Sequence, residues 1–280
     1  MSHKHAGFTL IELSIVLVII GLVVGGILAG SDLIRTAELN TIITQKTKYS
    51  VAFNTFRTKY NALPGDMSNA TQYWGAAAGS AADNYVASCQ GSGSASSPLT
   101  CNGDGNGYIC GGADYWSFLC TEGVMAWQQL ANAGLIEGTY TPITAPTGGS
   151  YEVVGLNIPV SKVRANAGFS IFYHCLTGSL GNEYFANGHC AHTFFYGAQD
   201  SGTNSNWMGL AFYPALSALD AQRIDSKLDN GLPATGTVTT TPTGGAYGNS
   251  CTTTTVVSTA KYTVTVPGIT CMLMFNADGF

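Results

Sequence analysis

Glu12 is the first residue whose placement asks for a chemical explanation. It is the one charged side chain in residues 8–29, FTLIELSIVLVIIGLVVGGILA. A carboxylate surrounded by hydrocarbon costs at least ~2.5 kcal/mol, and ionisable groups kept in such segments are functional candidates by default. Four residues from the start of the run, Glu12 can snorkel to the interface or pair with a cationic group of another molecule. Gly7, Phe8 and Glu12 form a set: a small residue, an aromatic and an acid at defined spacing at the head of an apolar run.

Two clusters further along offer metal chemistry. His174-Cys175 and His189-Cys190-Ala191-His192 combine imidazoles with thiols, the ligand types of zinc. Their spacing matches no finger pattern, and thiols outside the cell oxidise, so a disulfide flanked by histidines is expected. Asn102-Gly103-Asp104-Gly105-Asn106-Gly107 resembles the first half of a calcium loop, with oxygens at alternate positions and glycine at the sixth. It departs from that pattern at Asn102, where Asp is usual, and at Ala113, which takes the twelfth position, with Asp114 as a substitute acid. A glycine-rich turn inside a disulfide loop is the expectation. A calcium site at Asn102, Asp104, Asn106 and Asp114 is the alternative, and no other cofactor is implied. Asp220, Asp225 and Asp229, near Arg223 and Lys227, read as a solvated helix face. There is no Gly-x-Ser-x-Gly elbow, phosphate loop or dinucleotide fingerprint, and no enzyme is expected.

The elements that must position these groups follow from composition and periodicity. Charged residues are 10% of the 280-residue chain, against roughly 25% in an average soluble domain. With a net charge of −5, nucleic acid is not the main partner, because phosphate binding needs clustered Lys and Arg. The 22 residues of the apolar run span roughly 33 Å as a helix, enough for one bilayer core. Lys4 precedes the run, and Asp32, Arg35 and Glu38 follow it. The positive-inside rule then places the first residues in the cytoplasm and the bulk outside. Gly21, Gly25, Gly26 and Gly30 interrupt the run, each at about 1 kcal/mol against Ala in a helix.

Residues 31–60 lack Pro and Gly. Leu39, Ile42, Lys46, Tyr49, Phe53, Phe56 and Tyr60 recur at three- and four-residue steps, an apolar stripe broken only by Lys46. Leu63-Pro64-Gly65-Asp66 ends the helix. Beyond it, residues 115–135 and 214–228 predict helices, the second with Leu216, Leu219, Ile224 and Leu228 inward. Residues 151–175, 184–197, 261–266 and 270–275 predict strands. Residues 235–259 hold 11 threonines and read as exposed loop. The fold class is α+β: a long N-terminal helix, transmembrane and then amphipathic, packed on an antiparallel sheet head. The eight cysteines allow 105 pairings. Nearest-neighbour pairing gives Cys89–Cys101, Cys110–Cys120, Cys175–Cys190 and Cys251–Cys271.

Gly7-Phe8-Thr9-Leu10-Ile11-Glu12-Leu13 resembles the cleavage and methylation motif of type IV pilins and type II secretion pseudopilins. The resemblance is specific over residues 1–65. Segments 56–75, 125–138 and 224–236 resemble large pilin-like proteins with uncharacterised heads. It implies a leader of residues 1–7 cut after Gly7 by a prepilin peptidase, which also methylates Phe8 and leaves its amine cationic. It implies a transmembrane half at 8–29, an amphipathic half at 30–62 and a globular periplasmic or extracellular head at 63–280. Glu12 of an incoming subunit would meet the α-amine of a neighbour's Phe8. The C-terminal disulfide of such proteins corresponds to Cys251–Cys271, while pseudopilins that bind calcium do so at a C-terminal loop, away from residues 102–107.

The implied function is a structural subunit of a type IV pilus-like fibre. It would be held in membrane lipid at the bacterial inner membrane, engage an inner-membrane assembly platform, and then pack with copies of itself or other pilins, reaching the cell surface. A type II secretion pseudopilin and an adhesin-like minor pilin with a binding head share the same N-terminus and stand as alternatives.

Overall fold

A computed structural model describes residues 9–77, 99–110, 122–142, 152–175, 190–199, 213–241 and 250–277. Helix α1, Leu10–Tyr60, has 51 residues and at 1.5 Å per residue is roughly 77 Å long. Thr9 caps its start in a reciprocal box with Glu12, and Asn61 closes its end in the left-handed conformation. It runs unbroken through Gly21, Gly25, Gly26 and Gly30, around which nothing else packs.

The remaining elements are α2 (Ala70–Trp74), α3 (Glu122–Asn132), β1 (Ala167–Cys175), β2 (Cys190–Ala198), α4 (Ala218–Leu228), β3 (Val238–Thr239) and β4 (Leu273–Asn276). The strands form one antiparallel sheet in the order β1-β2-β4-β3. The expected α+β class is the observed one.

One apolar core joins the second half of α1 to this sheet. Leu39, Ile42, Tyr49, Phe53 and Phe56 of α1 are buried, as the stripe requires. Tyr49 meets Trp127 of α3 at 4.9 Å and Phe169 of β1 at 5.2 Å, and Phe53 meets Phe194 of β2 at 5.3 Å, all edge to face. Such ring pairs contribute about 0.5–1.5 kcal/mol each beyond area burial. At the break in the stripe, Gln45 rather than Lys46 faces inward. Its amide donates to Val160 O at 3.2 Å and accepts from Lys162 N at 2.8 Å, so the core loses no hydrogen bond there.

Several expectations for the head need correction. The last predicted helix begins at Ala218, and Leu219 and Leu228 lie 42% and 39% exposed. Asp220 and Asp225 are buried instead of solvated, because each has a partner. Arg35 of α1 pairs with Asp220 at 2.6 Å, and Tyr262 donates to Asp225 at 2.8 Å. Residues 261–266 form no strand: Tyr262 makes an isolated bridge to Thr252, while Val264 and Val266 are exposed. The threonine-rich segment supplies β3, and Thr239, Thr240 and Thr241 are buried. Thr240 is tolerated there because its hydroxyl donates to Met272 O.

Candidate functional site

At the N-terminal end, Glu12 Oε2 accepts from Thr9 N at 2.8 Å and Thr9 Oγ1 at 2.7 Å, and Glu12 N donates to Thr9 Oγ1 at 3.3 Å. The carboxylate sits at the positive end of the helix dipole, where an anion is favoured. Gly7 and Phe8 lie outside the described residues. From Leu10 onward the apolar side chains of the first half of α1 are exposed, and the most apolar stretch of the helix is 0% buried, long and apolar enough to cross a membrane. The second half is built into the head. The two halves meet near Arg35, whose guanidinium bridges Glu38 and Asp220 at 2.6 Å each, with Arg223 and Asp32 at 3.5 Å beside it. Burial raises the Asp220 carboxyl, but hydrogen bonds from Arg35 and Ser217 outweigh it and hold the acid below its usual range.

The head closes over the C-terminal end of α1 with a second group of acids. Asp66 follows the helix stop, Asp104 lies in the glycine-rich loop, and Glu122 opens α3. Oxygens of the three lie within 4.8 Å of one another. Asp66 and Glu122 are 4% and 3% exposed, and Asp104 is exposed. Burial pushes both Asp66 and Glu122 up to about 7; in Asp66, hydrogen bonding with Asp104 adds to it. If all three are charged, each pair repels by about 3 kcal/mol at an effective dielectric constant near 20. Among the described residues no Lys, Arg or His makes an ion pair with any of them. Arg57 lines an adjoining cavity of about 490 Å³ with Asp66, Gly105, Gly107 and His192, without pairing to the acid.

Close backbone approach holds this group together. Gly65 has φ +88°, and a Cβ there would collide with the carbonyl of Glu122; a Cβ on Gly103 would collide with the backbone of Gly65 and Asp66. Gly105 N donates to Asp66 O at 2.9 Å, and Gly103 N to Met67 O at 3.0 Å. Gln129 of α3 accepts from Gly65 N at 2.7 Å and donates to Cys101 O at 3.3 Å.

The calcium-loop residues of the sequence are thus only partly brought together. Asn102 accepts from Thr71 N in the first turn of α2, 31 residues away, and Asn106 accepts from Tyr108 N in a local turn. Asp114 lies outside the described residues. Asp104 meets two acids that the loop pattern did not include.

The sulfur chemistry is disulfide chemistry. Cys251 and Cys271 are bonded, with Cα atoms 4.9 Å apart. Cys101, Cys110 and Cys190 are also disulfide-bonded, so Cys190 offers no thiolate to zinc. The register sets the backbone of Cys175 directly opposite Cys190; Cys89 and Cys120 lie outside the described residues. His192 Nε2 accepts from Ile109 N at 3.1 Å; His189 is outside the described residues.

Among known families, residues 2–28 match the prokaryotic N-terminal methylation motif. Comparison with curated proteins and with solved structures brings no match. The matched segment includes Gly7, Phe8 and Glu12 and runs into the exposed apolar half of α1. Motif and apolar helix together fit an inner-membrane-anchored protein, and the motif implies a structural subunit processed by a prepilin peptidase and assembled into fibres. The chain bears the N-terminal methylation signature of type IV pilins and pseudopilins on an α+β, pilin-like architecture.

Proposed function

We propose that this chain is a structural subunit of a type IV pilus-like fibre. Cleavage after Gly7 and methylation of Phe8 create a cationic end, and Glu12 of an adjoining subunit neutralises it. The observation that carries this reading is the methylation signature joined to a helix with two environments. Its first half buries nothing in the monomer, while its second half is built into the head. A tethered enzyme needs only a span; a fibre subunit needs a rod that exchanges lipid for copies of itself. The capping box gives Glu12 a local role before assembly, so the acid is held at the helix end until the neighbour's amine arrives. Deleting Gly7, or replacing Glu12 by Ala, should leave the protein in the membrane and abolish fibres. Unchanged fibre yield in both variants would refute the proposal.

A binding head is the second reading, favoured by one observation. Val256, Val264, Val266 and Ile269 are exposed, and all four lie within the loop closed by Cys251–Cys271. Replacing Val264 and Ile269 by Ser should leave fibres intact and reduce attachment; normal attachment would count against this reading.

A further inference from the structure

The acids at the base of α1 have geometry that repulsion alone would not preserve. Asp66 Oδ1 is buried and no N–H or hydroxyl donates to it, which leaves the Asp104 carboxyl as the side chain's neighbour in the cluster. The other Asp66 oxygen accepts from Gly107 N at 3.0 Å. Glu122 is held by Asp104 N at 3.2 Å and Cys110 N at 2.8 Å, and Asp104 by Asn106 N at 2.9 Å and Asn106 Nδ2 at 2.7 Å. Each carboxylate is therefore oriented by backbone or amide donors, as metal ligands are by their outer partners. Residues 102–109 lie between two disulfide-bonded cysteines, Cys101 and Cys110, and glycines let three backbone segments converge.

We propose that Asp66, Asp104 and Glu122 form a calcium site that clamps the end of the long helix to the head. All three ligands are carboxylates, the donor type of hard cations. The three oxygens, all within 4.8 Å of one another, can converge on one such ion, and magnesium usually engages only one or two carboxylates and keeps several waters. Asp104, the exposed member, gives access from solvent, while the two buried acids supply the charge that calcium neutralises. Second carboxylate oxygens and water complete the six to eight ligands calcium takes. The ligand set differs from the linear loop pattern, because two of its three members come from the helix stop and from α3.

The test uses the full chain in detergent micelles, stripped with a chelator and titrated with calcium chloride alone by calorimetry, with thermal unfolding run in parallel. The expected result is one calcium per chain and a rise in midpoint of about 5 °C or more at a hundredfold excess over Kd. Asp104→Asn, at an exposed position, should fold normally and weaken binding at least about tenfold. In chelator, Asp66→Asn should unfold no earlier than the parent, because it removes repulsion; in calcium it should unfold earlier than the parent. Absence of binding by the parent, full affinity in Asp104→Asn, or an equal midpoint shift with magnesium would overturn the proposal.

Discussion

Phe53→Ala opens a cavity at the centre of the contact between α1 and the head. The Phe53 side chain is fully buried and packs edge to face on Trp127 at 5.7 Å and on Phe194 at 5.3 Å. Phe-to-Ala changes in well-packed cores cost about 3–5 kcal/mol. For a domain of this size, about 2–4 °C is lost per kcal/mol, so the midpoint should fall by about 6–20 °C. The assay is near-ultraviolet circular dichroism of the full chain in detergent, which follows the packed aromatic rings of the head. Val51→Ala, two residues away on the exposed side of the same helix, serves as the control and should shift stability by less than about 0.5 kcal/mol. Indistinguishable midpoints for the two variants would show that α1 does not carry the core, and the two-environment account of the helix would fall with it.

The ion pair of Arg35 in α1 with Asp220 in α4 gives a pH-dependent test. Asp220 titrates below its unfolded value, so its contribution is present above about pH 4 and is lost as pH falls through the depressed value. Arg35→Met should remove that loss from the acid limb of the stability curve; an unchanged acid limb would contradict it. Asp225 has the opposite sign. Burial, with the charge of Asp229 adding and hydrogen bonds from Tyr262 and Gly231 opposing, pushes it up to about 6. Stability from this group rises as pH falls from about 6 toward 4, and Asp225→Asn should flatten that rise in chemical denaturation. Replacing Cys251 and Cys271 by Ala opens a loop with a sequence separation of 20 and should cost about 3 kcal/mol, read from the denaturation midpoint. Gly65→Ala should destabilise the head strongly, since its left-handed φ and the Glu122 carbonyl leave no room for a methyl; a parent-like midpoint would contradict the close packing of α3 on that turn.

The helix was legible because its signals are local. Apolar residues at three- and four-residue steps and Pro64-Gly65 at the end all act within a few positions of one another. The inward turn of Gln45 was not legible, since its partners Val160 and Lys162 lie far along the chain. Asp220 and Asp225 look solvated on a helical wheel; Arg35 and Tyr262 bury them from a distance. Alternation in residues 261–266 suggested a strand, but a ladder needs a neighbouring edge, and only Tyr262 found one. The acid cluster shows the same limit. Asp104 was visible in a patterned loop, whereas Asp66 read as part of a helix stop and Glu122 as part of a helix. Only the glycine-permitted approach of three backbone segments makes them one site.

The central claim is that processing creates the charge that Glu12 meets. Intact-mass and N-terminal sequence measurement on the protein recovered from the cell envelope tests it directly. The account predicts a chain that lacks residues 1–7 and begins at Phe8 with one added methyl group on its amine. A mature chain that begins anywhere else, or that keeps its leader in assembled fibres, would contradict it.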